Sequence, residues 1–188
     1  MSSSNNLIVN KSKPFLGRVI IPGDKSISHR SIILGSLAKG KLIINNFLRS
    51  DDCLQTISAM RSLGAKIKNF NEQIIIEGIG LNNIKNPNKI IDAGNSGTLI
   101  RLLTGILSVQ NFTSTITGDD SLNLRPMRRI ISPLVAHGAM IDSNNFRAPL
   151  KIIGNTKLSP IFYKQDVASA QVKSCLMLAA LFIEGESK

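Results

Sequence analysis

Apolar residues along this chain follow two periods. Short runs at 18–21, 41–47, 66–70 and 73–77 read as strands, whereas apolar residues three and four apart at 26–37 and 52–63 read as helices. In the second helix Leu54, Ile57, Met60 and Leu63 fall on one face. The same order then returns. Strands at 89–92, 113–117, 140–142 and 150–153 frame helices at 96–107 and 128–137, the latter with Ile130, Ile131, Leu134 and Val135 on one side. Gly64-Ala65-Lys66-Ile67 closes the second helix of the first half, and Gly138-Ala139-Met140-Ile141 closes its counterpart. A glycine just past a helix supplies the left-handed C-cap. A strand at 161–163 and a helix at 169–182 begin a third copy. The pattern predicts an α/β (α+β) chain in which a βαβαββ unit is used twice, with a third unit lacking its second half.

At 188 residues and 43% hydrophobic content the chain is long and apolar enough for one sizeable core or two small ones. No apolar run approaches the roughly 18 residues of a membrane span. Residues 1–6 carry neither a signal nor a transit pattern, so a cytoplasmic location is expected. Cys53 and Cys175 read as reduced and buried, and neither stands at ligand spacing to His29 or His137, so no metal is expected. The net charge of +11 calls for an anionic partner. Aromatic content is only 4%, with no Trp and one Tyr, and no basic run of five occurs. That favours small phosphorylated or carboxylated ligands over nucleic acid, which stacks its bases on aromatic side chains.

Four junctions carry the candidate chemistry. Pro22-Gly23-Asp24-Lys25-Ser26-Ile27-Ser28-His29-Arg30 joins a predicted strand to a helix and places Lys25, Ser26 and Arg30 at the helix start. Helix starts offer unpaired N–H groups and the positive end of the dipole, a setting for anions. Gly94-Asn95-Ser96-Gly97-Thr98 opens the next helix, with Arg101 one turn in. Two glycines let the backbone approach a ligand, and Asn95 and Ser96 can cap or donate. Gly118-Asp119 leads to Leu124-Arg125-Pro126-Met127, which puts Arg125 ahead of a helix with Pro126 expected at its first position. Ser169-Ala170-Gln171-Val172-Lys173-Ser174 opens the third-unit helix, with Ser169 as N-cap. Taken singly, each junction is also an ordinary capped helix. Asp51 and Asp52 read as capping residues, and His29 and His137 lack a paired acid or nucleophile. A Walker A loop, a nucleophile elbow and a dinucleotide fingerprint are all absent.

In their order, these four strings resemble the 5-enolpyruvylshikimate-3-phosphate synthase family. The resemblance covers only the N-terminal part of that family's proteins. It implies a lobe of βαβαββ units about a pseudo-threefold axis, of enolpyruvyl transferase type, with the third unit truncated. Residues 21–188 would form an incomplete N-terminal lobe, and 1–20 would pair with a C-terminal lobe outside the chain. It implies transfer of the enolpyruvyl group of phosphoenolpyruvate to the 5-hydroxyl of shikimate 3-phosphate, without a cofactor, in a protein monomeric at full length. Lys25 and Arg125 would be catalytic. Lys25, Ser26, Arg30, Ser169, Ala170 and Gln171 would hold shikimate 3-phosphate; Lys25, Asn95, Gly97, Arg125 and Gln171 would line the phosphoenolpyruvate site. Ala170 stands where the family often has Ser, and Leu102 where many members have Pro. The alternatives are a UDP-N-acetylglucosamine enolpyruvyl transferase, which would use a loop cysteine, and a non-catalytic basic module for nucleic acid.

Overall fold

The computed structural model describes residues 7–14, 16–71 and 73–188. Its elements run α1 (Lys25–Leu37), β1 (Lys39–Asn45), α2 (Asp51–Ser62), β2 (Lys66–Asn69), β3 (Gln73–Ile79), β4 (Ile91–Asp92), α3 (Gly97–Ser108), β5 (Thr113–Thr117), α4 (Asp120–Asn123), α5 (Arg128–Ala136), β6 (Met140–Asn144), β7 (Arg147–Ile153) and α6 (Ala170–Ala180).

The repeat is visible in the sheets. One sheet has the order β1-β3-β2 and the other β4-β5-β7-β6. In each, the strand between two helices pairs antiparallel with the last strand of its unit, and a hairpin closes on that strand. Strand alternation then sorts the side chains: Ile74 and Ile76 on β3, and Leu150 and Ile152 on β7, face the core. Gly64 and Gly138 both take positive φ, +97° and +101°, at the equivalent helix ends. That is the conformation the repeated Gly-Ala motif anticipates.

The core lies among the helices. α3 is buried along nearly its whole length, and α6 packs closely along it. Gly105 makes this approach possible, since a Cβ there would sit 2.2 Å from the Cys175 carbonyl oxygen. α2 rests on α1 and α3, and α5 rests on α3 and α6. Each unit thus contributes one inner helix, α1, α3 or α6, and the first two units each add an outer helix that bridges to the next inner one.

Several expectations are corrected. Residues 18–21 form no strand, and Val19, Ile20 and Ile21 are 62%, 91% and 75% exposed. A strand needs a hydrogen-bonded neighbour, and none of the described residues supplies one. The equivalent β4 is held by Ile91 opposite Ile116 and by the Ala93 amide donating to the Thr117 carbonyl at 2.8 Å. Residues 161–163 form no strand either. Their backbone pairs with that of Lys188 alone among the described residues, which is too short for a ladder, and the Ile161 and Phe162 amides donate instead to the side chains of Ser187 and His137. α6 ends at Ala180, two residues before the expected 182. The short α4 was not foreseen. α5 begins at Arg128, as the 128–137 reading expects, so Pro126 is not its first residue; Met127 takes the N-cap position, its amide donating to the Phe146 carbonyl at 2.7 Å. Asp51 and Asp52 are first-turn residues of α2, not caps; the cap position is Ser50.

Candidate anion-binding site at three helix starts

Each inner helix begins with a side-chain cap. Asp24 accepts from the Ile27 amide at 2.7 Å, Ser96 from the Leu99 amide at 3.2 Å, and Ser169 from the Val172 amide at 3.4 Å. One cap serves one amide, so other first-turn N–H groups remain open at each start. The Ser169 hydroxyl accepts in its cap, which leaves its own proton to donate to a ligand.

Side chains from the first two turns tie α6 to α3 and to α1 near their starts. Arg101 on α3 donates to the Gln171 side-chain carbonyl of α6 at 3.0 Å and to the Gly97 carbonyl at 3.0 Å. Gln171 donates in turn to the Thr98 hydroxyl at 3.0 Å. Its amide is therefore fixed at both ends by α3. Arg30 on α1 donates to the Ser174 hydroxyl of α6 at 2.9 Å and to the Ser26 carbonyl at 3.2 Å. Arg125 donates to the Asn95 side-chain oxygen at 2.5 Å, and Asn95 donates to both oxygens of Asp119, at 3.1 and 2.8 Å. A Cβ at Gly97 would stand 2.7 Å from one Arg101 nitrogen and 3.1 Å from one Arg125 nitrogen. Gly97 is thus the gap in which these two guanidinium groups sit.

Lys25, the first residue of α1, forms an ion pair with Asp52 of α2. One turn on, His29 meets Thr56 with Nδ1 2.6 Å from the hydroxyl oxygen. Thr56 donates to the Asp52 carbonyl at 3.2 Å. It therefore accepts from His29 Nδ1–H, and Nε2 is left as a buried lone pair without a partner. These two contacts are parallel rungs between α1 and α2, four residues apart on both helices. Burial lowers the His29 pKa to about 4; Lys25 and Arg30 act in the same direction and Asp52 against it.

Charge is crowded on the α3 side. Burial lowers the Arg101 pKa, and Arg125 and Arg129 lower it further. Hydrogen bonds, first from Asn95 and then from the Leu122 amide, hold the Asp119 carboxyl below its ordinary range. Both cysteines are buried within helices, and burial pushes the Cys175 thiol up to about 12. Neither is a loop nucleophile.

Of the residues expected at the site, Asn95, Gly97, Arg125 and Gln171 gather around the start of α3, and Arg30 joins α1 to α6. Ser26, Ser169 and Ala170 lie at the starts of α1 and α6. Lys25 is engaged by Asp52 and has no hydrogen bond to the Asn95–Arg125 group. Arg101 is the hub that sequence reading left without a role. Its only signal there was its place one turn after Gly97.

A family model for EPSP synthase (3-phosphoshikimate 1-carboxyvinyltransferase) matches residues 9–188. The 3-phosphoshikimate 1-carboxyvinyltransferase of Ruthia magnifica subsp. Calyptogena magnifica is 50% identical over 183 residues, which is 97% of this chain and 42% of that protein. The protein of the same name from Petrotoga mobilis is 50% identical over 173 residues, 90% of this chain and 40% of its own. An EPSP synthase structure from Acinetobacter baumannii superposes with a TM-score of 0.87 at 44% identity, covering 91% of this chain and 39% of that one. The chain thus spans about two fifths of the length of the relatives it matches. The repeat, the three capped helix starts and a match that runs almost from end to end agree, and the chain belongs to the EPSP synthase family.

Proposed function

We propose that this chain supplies the shikimate 3-phosphate half of an enolpyruvyl transfer site, together with part of the phosphoenolpyruvate site. The observation that carries this reading is the linkage of α1, α3 and α6 near their capped starts through Arg30–Ser174 and Arg101–Gln171, with Arg125 held by Asn95 and Lys25 as the first residue of α1. Two polyanions must be brought together against their repulsion, and fixed cations with oriented amides offset that cost before reaction. Arg30 and Ser26 hold the shikimate carboxylate. Ser169 and the amide of Ala170 take the 3-phosphate. Gln171, fixed by Arg101 and Thr98, lies against both substrates. Arg125, Asn95 and the Gly97 gap receive phosphoenolpyruvate.

In the reaction the 5-hydroxyl gives its proton to a base as its oxygen bonds to C2 of phosphoenolpyruvate, while C3 takes a proton from an acid, giving a tetrahedral adduct. C3 then loses a proton as the bond from C2 to the phosphate oxygen breaks and phosphate leaves. Lys25 passes from Asp52 to the reacting oxygens and stabilises charge there. The proton donor and acceptor come from a second lobe. His29 does not serve, because it is buried and its protonation is strongly disfavoured. In this reading residues 1–20 pair with that lobe, and the full-length protein is a cytoplasmic monomer acting on small anions.

The test is a thermal melt of the chain with shikimate 3-phosphate. At ten times Kd a ligand adds about 1.4 kcal/mol, a midpoint rise of a few degrees. Lys25→Ala should reduce the rise, and no phosphate should be released. A shift with generic DNA and none with shikimate 3-phosphate overturns the reading. Steady-state phosphate release abolished by Lys25→Ala overturns the claim that a second lobe is required.

A further inference from the structure

Three arginines tie the site together, and each is held by a neutral oxygen. Arg125 donates to the side-chain oxygen of Asn95, and Arg101 to that of Gln171. Arg30 donates to the Ser174 hydroxyl at 2.9 Å and to the Ser26 carbonyl at 3.2 Å. None of the three lies within ion-pair distance of a carboxylate among the described residues. Lys25 is the contrast, since Asp52 meets it with a full negative charge. A neutral oxygen fixes where a guanidinium points and leaves its charge uncancelled. Asn95 and Gln171 already have places in the site. Ser174 is the member of this set without one.

Ser174 also differs from other hydroxyls inside the helices. Ser36, Thr56, Thr104 and Ser108 each donate to the carbonyl four residues back, a bond within their own helix. The bond of Ser174 runs instead from α6 to α1, to a residue 144 positions away. Serine is a poorer helix former than alanine, so α6 itself does not call for it. Gln171, one turn earlier, is bound by α3. The first two turns of α6 thus offer one polar group to α3 and another to α1. The two bonds of Arg30 use one N–H on each terminal nitrogen, which leaves the second N–H of each and Nε–H for a ligand. A carboxylate takes two parallel bonds from such a fork. Arg30 and Ser174 are both only part-buried, so a ligand can reach the pair.

We propose that Ser174 is a positioning residue for recognition of the shikimate carboxylate: it holds the Arg30 fork in place before the ligand arrives and leaves the charge free for it. This rests on the reading that the starts of α1 and α6 receive shikimate 3-phosphate. An arginine left loose gives up its rotamer freedom when it binds, whereas one already held has given it up on folding. Ser174 therefore acts through Arg30, and its contribution needs a hydroxyl oxygen, neutral and within reach of the guanidinium.

The test is calorimetric titration of the full chain with shikimate 3-phosphate, with a melting curve for every variant. Ser174→Ala should weaken binding about fivefold, the cost of ordering one long side chain. Its melting temperature should hold, because alanine favours the helix. Ser174→Thr keeps the hydroxyl and should bind as the native chain does. Ser174→Asp keeps an oxygen for Arg30 but neutralises it, and should weaken binding more than Ser174→Ala. A bond that only joined two helices would survive that change, so the order Thr, Ala, Asp separates positioning from support. Native affinity in Ser174→Ala overturns the inference, as does Ser174→Asp binding as well as the native chain or Ser174→Thr binding no better than Ser174→Ala. A native chain that does not bind shikimate 3-phosphate overturns the proposed function itself, a result distinct from native binding that ignores Ser174.

Discussion

His29→Asn isolates a single proton. In the native chain the imidazole is fully buried and its pKa is lowered to about 4 from 6.5. Between these two values the unfolded chain binds a proton that the native chain does not. Stability therefore falls as pH drops through 6.5, and the loss is complete once pH passes below 4. A shift of about 2.5 units corresponds to about 3 kcal/mol in all, of which about 2 kcal/mol is lost between pH 7 and pH 5. Asparagine keeps an N–H donor near the position of Nδ1 for the Thr56 hydroxyl but does not titrate. The assay is urea unfolding of both proteins at pH 7, 6, 5 and 4.5. The carboxylates are common to both, so the difference between the two stability curves reports His29. The native chain should lose about 2 kcal/mol more than the variant between pH 7 and pH 5. A difference that stays flat within about 0.5 kcal/mol over that range would show that the imidazole charges freely in the native state, and the burial argument would fail.

Gly97→Ala adds a Cβ 2.7 and 3.1 Å from the ends of Arg101 and Arg125, both of which can swing away. Calorimetry should show weaker binding of phosphoenolpyruvate with no loss of melting temperature, because Ala favours a helix by about 1 kcal/mol over Gly. Gly105→Ala meets backbone instead, with its Cβ 2.2 Å from the Cys175 oxygen. The cost should be about 3 kcal/mol in urea unfolding, and a wild-type midpoint would refute close α3–α6 packing. Arg101→Gln releases the Gln171 amide. Affinity for shikimate 3-phosphate should fall about tenfold while unfolding free energy changes by less than about 1 kcal/mol. Native Cys53 and Cys175 should resist iodoacetamide at pH 8 and react on unfolding, as mass spectrometry would read, because both are buried and the Cys175 thiol is pushed up to about 12.

The repeated Gly-Ala helix ends make the two-unit architecture legible in the sequence, because a C-cap is a local event decided by one residue's φ. The starts of α3 and α6 are legible for the same reason, since Ser96 and Ser169 each cap an amide three residues on. Asp24, which caps α1, is not read as a cap from the sequence, and that helix is expected one residue late, at Ser26. What stayed hidden depends on packing between distant segments. The two rungs between α1 and α2 join residues 27 positions apart and exist only because the helices lie parallel. Arg101 reaches Gln171 only because Gly105 lets α3 and α6 approach so closely. Residues 18–21 carry a strand's composition, but composition cannot supply the neighbouring strand. Pro126 carries a helix-start signal but lies two residues ahead of the helix that the apolar spacing marks from Arg128.

The carboxylates nearest the site are already committed, and this explains why its cations remain available. Asp24 is spent on the Ile27 amide, Asp119 on the Leu122 amide and on Asn95, and Asp52 on Lys25. Arg125 hydrogen-bonds the Asn95 amide oxygen and acts on the Asp119 carboxylate only through space, while the charges of Arg125 and Arg129 act against Arg101. In a partly buried setting such crowding raises the free energy of the unliganded state, and a dianion placed among the guanidinium groups removes it. Lys25 differs, since it must give up Asp52 to reach a ligand. The two sides of the site therefore carry different costs of engagement. Under the proposed function the arginine side gains from an anion outright, whereas the Lys25 side exchanges Asp52 for the reacting oxygens and so gains most where negative charge would grow on them.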